Sequence, residues 1–215
     1  MLGKERFDAY LRAFGYGAGT GLDYPGESTG ILLPLEEYND TSLASMPIGN
    51  GIAITPMQML DVFTTIANGG ETRPPRLVDA TVAPDGTRRD EATAPSRRVV
   101  SPETAAAVRG MLEGVVADGT GTNAAVEGYR VAGKTGTARK PPYDQPPYRY
   151  TASFAGFAPA SSPRLSAIVV FDEPTGERGF LAAQVAAPAF SRIMAAALRS
   201  ERVPPDGAGT LPATP

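Results

Sequence analysis

The chain has 215 residues, 42% of them hydrophobic and 20% charged, which is enough apolar material for a packed core. A net charge of −3 gives no footprint for nucleic acid, and no apolar run reaches the length of a membrane span. Cysteine and histidine are absent, which excludes disulfides, thiolate nucleophiles, imidazole bases and the common nitrogen and sulfur metal ligands.

Phe7, Tyr10, Leu11 and Phe14 recur at the spacing of one helical face, so a helix is expected over 2–14, with Gly15 and Gly17 as its stop. Residues 20–40 read as loop, because Gly21, Pro25, Gly26, Gly30 and Pro34 interrupt any regular element. The segment Ile48-Gly-Asn-Gly-Ile-Ala-Ile54 is a glycine-bent approach to a second helix. There Thr55 is the expected N-cap, Pro56 the first helical residue, and Gly69-Gly70 the stop after Asn68. A surface hairpin turning at Pro84-Asp-Gly-Thr87 is expected between Arg76 and about Val100, with its Arg, Asp and Glu residues solvated. Ser101-Pro102 opens a helix that stops at Asp118-Gly119.

The lysine-bearing run Arg130-Val-Ala-Gly-Lys-Thr-Gly-Thr-Ala138 has the short-residue texture of a strand. Two more strands, Thr151–Phe157 and Leu165–Phe171, follow a stiff loop of prolines and tyrosines. A final alanine-rich helix over 185–198 should pack through Phe190, Ile193, Met194 and Leu198. The expected fold class is α+β, a three-stranded antiparallel meander with flanking helices and the lysine strand at its edge. Residues 200–215 read as a disordered Pro/Gly/Ala tail.

Only three lysines occur, Lys4, Lys134 and Lys140, and the remaining basic residues are arginines that do not trade protons. Strand alternation places Thr135 and Thr137 on one face and Lys134 and Gly136 on the other. An ammonium, two hydroxyls and open backbone then meet on one short segment, a receptor for a carboxylate on a peptide-like ligand. Alternatively, Lys134 is a solvated edge lysine that discourages sheet-to-sheet association.

Many segments together carry a resemblance. Leu2–Phe7, Leu11–Gly17, Thr20–Glu27, Ile48–Gln58 with Ala67–Gly70, Gly119–Ala138, Thr151–Pro159 and Gln184–Phe190 occur in the order found in penicillin-binding proteins. Lys134-Thr-Gly-Thr137 matches the third motif of that serine acyl-transferase family. The chain resembles the class B, division-type members, and specifically the C-terminal part of their transpeptidase domain over residues 1–199. That resemblance implies a β-lactamase/transpeptidase-like fold, here incomplete, and acyl transfer on D-Ala-D-Ala stem peptides without a cofactor. It also implies Lys134 as the catalytic ammonium, with Thr135, Gly136 and Thr137 binding substrate and the Thr137 amide serving the oxyanion. The implied partners are the peptidoglycan stem peptide, β-lactams and, for a membrane-anchored parent on the extracytoplasmic face, division machinery.

The chain departs from the pattern at two motifs. No serine has a lysine three residues on, and no asparagine has a serine two residues before it, so Ser-x-x-Lys and Ser-x-Asn are both missing. Both are expected ahead of Met1, which makes this chain inactive alone. A non-catalytic remnant or binding module is one alternative, and a serine β-lactamase or D,D-carboxypeptidase is the enzymatic one. Without its neighbouring strands, the strand at Leu165–Phe171 is expected to expose a hydrophobic edge.

Overall fold

The computed structural model describes residues 2–22, 24–92, 94–176 and 179–207, which fall into two compact units. The first takes the chain to Thr65 together with Glu71–Val99; the second takes Ile66–Gly70 and the chain from Val100 onward.

In the first unit, helix α1 covers Lys4–Ala13 and ends where Gly15 adopts a positive φ of 94°. Its expected apolar face is only partly used, since Tyr10 remains 44% exposed. The buried position on this helix is instead Asp8, whose carboxylate accepts from the Arg12 guanidinium at 2.9 Å and the Tyr38 hydroxyl at 3.0 Å. Burial, reinforced by the bond to Asp8, pushes the Tyr38 phenol up to about 12. A short helix α2, Asp40–Ser45, follows, with Asn39 and Ser42 forming a reciprocal capping box. No element was expected there.

Helix α3 covers Pro56–Ala67 and starts as its sequence requires. The Thr55 hydroxyl accepts from the Gln58 N–H at 3.1 Å, and the Gln58 side-chain carbonyl accepts from the Thr55 N–H at 2.9 Å. Gln58 is 1% exposed, and its amide nitrogen donates to the carbonyls of Ala18 and Thr29, each at 2.8 Å. One side chain thus holds the glycine-rich loop against the start of α3. Gly30 belongs to the same junction, because a Cβ there would lie 2.4 Å from the Ala53 carbonyl oxygen.

The hairpin expected between Arg76 and about Val100 is present around its turn, and a second short pairing reaches back to Glu71, outside the expected span. Strand β1 (Glu71–Thr72) pairs with β4 (Arg97–Arg98), and β2 (Ala80–Val82) pairs with β3 (Arg88–Asp90) around the Pro84–Thr87 turn. Arg88 bridges Asp79 and Asp90 in the open, as a solvated face should, and such exposed pairs add little stability.

The second unit is a three-stranded antiparallel sheet in the order β5 (Ala132–Arg139), β6 (Tyr150–Ala158), β7 (Leu165–Asp172), packed with helices α4 (Pro102–Asp118) and α5 (Ala182–Ser200). Ser101 caps α4 through the Thr104 N–H, with Pro102 at the first helical position. The core joins Phe154 of β6 to Phe190, Met194 and Leu198 of α5, all at most 1% exposed, with the Phe154 and Phe190 rings 4.7 Å apart. Ile193 is a correction: it was expected in that packing face and lies 51% exposed. Successive helical residues turn by about 100°, so Ile193, one step from Met194, falls off the buried stripe.

The stretch after α5 departs from the expected disordered tail as far as Gly207. Val203 is buried, and its carbonyl accepts from the Tyr129 hydroxyl at 2.6 Å. The Asp206 carboxylate accepts from the Arg130 N–H, the Ser161 N–H and the Ser161 hydroxyl. Polar side chains with fixed partners, invisible to composition, order this segment. Residues 208–215 of the expected tail lie outside the described residues. On β7, the end strand of this sheet, Val170 and Phe171 are 41% and 39% exposed.

Candidate functional site

Strand β5 pairs with β6 on one side, and among the described residues no strand pairs with its other side. Its register puts Thr135 opposite Phe154 and Thr137 opposite Ala152, the sheet face packed on α5. Lys134 and Gly136 lie opposite Ala155 and Ser153, on the other face. The alternation read from the sequence therefore holds. Two glycines keep the strand close to its neighbours: a Cβ on Gly133 would lie 2.5 Å from the Phe154 ring, and one on Gly136 would lie 2.8 Å from the Ser153 hydroxyl. Close packing against β6 already requires Gly133, apart from any ligand, whereas at Gly136 the Ser153 hydroxyl could rotate away.

Lys134 is exposed, and its ammonium bends back to donate to the Thr135 carbonyl at 2.9 Å and the Thr135 hydroxyl at 3.2 Å. No carboxylate pairs with it among the described residues. Lys140, six residues further along, is held by Asp172 at 2.8 Å and Glu173 at 2.7 Å. Those two hydrogen bonds, the one to Asp172 first, raise the Lys140 pKa. Beside it, the Arg139 guanidinium lies 3.4 Å over the Tyr148 ring, a cation–π contact.

The two threonine hydroxyls of β5 have different partners, and only that of Thr135 also meets the Lys134 ammonium. Thr135 Oγ1 lies 2.9 Å from Thr120 Oγ1, which comes from the loop after α4. Thr137 Oγ1 accepts the Ala182 N–H at 3.1 Å, at the first residue of α5, whose N-cap Leu181 offers no side-chain acceptor. Thr137 therefore caps α5, and the positive end of the helix dipole lies beside this hydroxyl. Asn123 donates from its side chain to the Ala183 carbonyl at 2.8 Å, in the same first turn of α5. The roles of Thr120 and Asn123 were not expected from the sequence. They precede Lys134 by a loop of small residues, and only the fold brings them to β5 and α5.

All four expected site residues thus sit together on one exposed strand edge. The arrangement offers an unneutralised ammonium and two fixed hydroxyls, which suits an anionic ligand end. Ser153, on the same face as Lys134, donates to the Gly136 carbonyl at 3.4 Å and has no lysine or carboxylate partner among the described residues. Among the described residues no cluster of acidic side chains suits a metal ion, and no helix is long and apolar enough to cross a membrane.

Comparison with known proteins bears on what such an edge is for. Residues 1–195 match the penicillin binding protein transpeptidase domain. Over 94% of its length the chain is 41% identical to the penicillin-binding protein PbpB of Mycolicibacterium smegmatis, covering 33% of that protein. It is 34% identical to the peptidoglycan D,D-transpeptidase FtsI of Escherichia coli K12, covering 94% of this chain and 33% of that one. The chain therefore spans about a third of the length of these curated relatives. The crystal structure of penicillin binding protein 3 from Mycobacterium tuberculosis, complexed with aztreonam, superposes with a TM-score of 0.85 at 38% identity, covering 99% of this chain and 50% of that one.

Proposed function

Because the chain belongs to the penicillin-binding protein transpeptidase domain family, we propose that it is the carboxylate-binding part of a peptidoglycan-crosslinking D,D-transpeptidase. The observation that carries this reading is the exposed Lys134 ammonium, without an acidic partner among the described residues and in contact with the Thr135 hydroxyl, on an edge strand that also bears Thr137. In the reaction, a serine attacks the carbonyl between the two D-alanines of a stem peptide, the terminal D-alanine leaves, and an amine of a neighbouring stem takes the acyl group. Lys134 neutralises the terminal carboxylate and exchanges a proton with a serine of the second motif. Thr135 and Thr137 donate their hydroxyl protons to that carboxylate, and Gly136 leaves room for the ligand backbone. The Thr137 amide is the oxyanion donor that this chain offers, and preorganised donors of this kind are worth several kcal/mol of barrier (about 3).

The attacking serine and its lysine are not among the 215 residues, because no Ser-x-x-Lys occurs in them. The chain alone is accordingly inactive, and the complete enzyme acts on stem peptides and is blocked by β-lactams. Aztreonam is bound by a solved relative, which supports that part of the reading. The parent protein works on the extracytoplasmic face of the plasma membrane with division-machinery partners.

A titration tests the binding step. A short peptide ending in D-Ala-D-Ala should shift the amide resonances of residues 134–137 and the first turn of α5, and an unchanged spectrum there removes the proposal. Fluorescent penicillin should leave the chain unlabelled; a stoichiometric acyl adduct would mean that one of its own serines is a competent nucleophile.

A further inference from the structure

We propose that Asn123 is a positioning residue for carboxylate recognition, acting through the first turn of α5 on the Thr137 hydroxyl. The inference rests on the reading of β5 as the carboxylate site and adds a residue and a route to it. The route is a continuous set of contacts. The Asn123 side-chain amide donates to the Ala183 carbonyl at 2.8 Å, and the Ala182 N–H in the same turn donates to Thr137 Oγ1 at 3.1 Å. Asn123 lies in a single 3-10 turn, Thr122–Ala124, whose last residue Ala124 is fully buried in the core. The amide therefore projects from a fixed platform.

The consequence concerns which way the Thr137 hydroxyl points. A hydroxyl has one proton and two acceptor lone pairs. The Ala182 N–H occupies one lone pair from the α5 side, so the proton cannot point at α5 and is free to turn away from it. A carboxylate only accepts, and it matches a hydroxyl turned this way. A carboxamide carries one acceptor and two donors and matches it less well. Leu181 gives α5 no side-chain cap, so beyond the core burial of Ala182 and Ala186 the polar ties on the first turn are Thr137 and the Asn123 tether. If Asn123 is shortened, the turn frays, the Ala182 N–H drifts, and the hydroxyl loses its bias.

The experiment measures the affinity of the chain for one short peptide in two forms, ending in D-Ala-D-Ala carboxylate or in the corresponding carboxamide. Asn123→Ala should reduce the preference for the carboxylate about threefold to fivefold, as expected for weakening one charge-assisted hydrogen bond. Asn123→Asp, which keeps the shape but has no donor, should lose as much, whereas Asn123→Gln, which keeps the amide, should recover part. In a Thr137→Val background Asn123→Ala should cause no further loss, because the two residues act on one hydroxyl. Amide hydrogen exchange at Ala182 should quicken in Asn123→Ala, which reports the tether even if binding is weak. An unchanged preference in Asn123→Ala, or a loss that persists in full in the Thr137→Val background, overturns the inference. If the unsubstituted chain itself shows no carboxylate preference, or Lys134→Ala leaves that preference intact, it is the reading of β5 that fails instead.

Discussion

Gln58 in the first unit and Lys134 in the second are both polar side chains at a glycine-rich junction, and they are used in opposite ways. Gln58 is buried, and its amide oxygen and nitrogen are engaged by the Thr55 N–H and the carbonyls of Ala18 and Thr29. Its polar atoms are spent on its own backbone. Lys134 is exposed, and its only partners among the described residues are on its immediate neighbour Thr135. A polar group saturated by its own chain fixes backbone, whereas one that has only its neighbour can exchange that contact for a ligand at small cost. Lys140, the residue just after β5, shows that a nearby lysine can be neutralised by the chain, since Asp172 and Glu173 both hold it. On the proposed function the contrast sets stability at Gln58 against recognition at Lys134, and substitutions can separate the two.

The largest effect is expected at Gln58. Gln58→Ala strips the Ala18 and Thr29 carbonyls and the Thr55 N–H of their buried partner, and at about 1 kcal/mol each this costs roughly 3 kcal/mol. Chemical denaturation should show the loss as a lowered midpoint with an unchanged slope. A cost under about 0.5 kcal/mol would mean that water replaces the side chain and that the junction is not held by it. Next is Lys134→Ala, which should weaken binding of a D-Ala-D-Ala peptide about tenfold, the worth of a hydrogen bond to a charged group, with little change in stability. Lys140→Ala is the control, and its effect on that affinity should stay within about twofold because its charge is already taken by exposed acids. Equal losses at the two lysines would indicate a general electrostatic attraction and erase the distinction between them.

Much of this was legible in the sequence wherever the cause is local. The ends of α3 and α4 follow from Thr55-Pro56 and Ser101-Pro102, and the meander follows from three apolar runs with short connections. Alternation alone put Thr135 and Thr137 on one face of β5. Helix α2 was missed because six residues do not complete two turns, although the Asn39–Ser42 box was there to be read. Asp8 and Gln58 are buried polar residues, and composition rules place such side chains outside. Ile193 shows the limit of helical periodicity, which finds a stripe but not its margin. Thr120 and Asn123 reach their partners across 15 and 60 residues, and Asp206 reaches Arg130 across 76, so no local pattern announces them. The motif was readable, but the side chains that hold it in place were not.

A modest effect, read in stability rather than affinity, sharpens the comparison from within the first unit. Asp61 of α3 is half-buried beside Gln58 on a cavity of about 530 Å³, and its carboxylate has no hydrogen-bond partner among the described residues. Desolvation, with a lesser contribution from Glu27, pushes its pKa up to about 6. Between about pH 4, where the unfolded carboxyl releases its proton, and pH 6, the folded chain binds more protons than the unfolded one. The stability contributed by the protonated form is full below pH 4 and is lost as pH rises through the folded pKa. Asp61→Asn should therefore stabilise the chain at pH 7.5 by about 1 kcal/mol, discounted for the solvent that still reaches the group, and leave it unchanged near pH 4. Melts of both chains at the two pH values check this. A substitution that destabilises at pH 7.5 would show that the ionised Asp61 has found a partner after all. It would then belong with Gln58 among the saturated groups rather than beside Lys134 among the open ones.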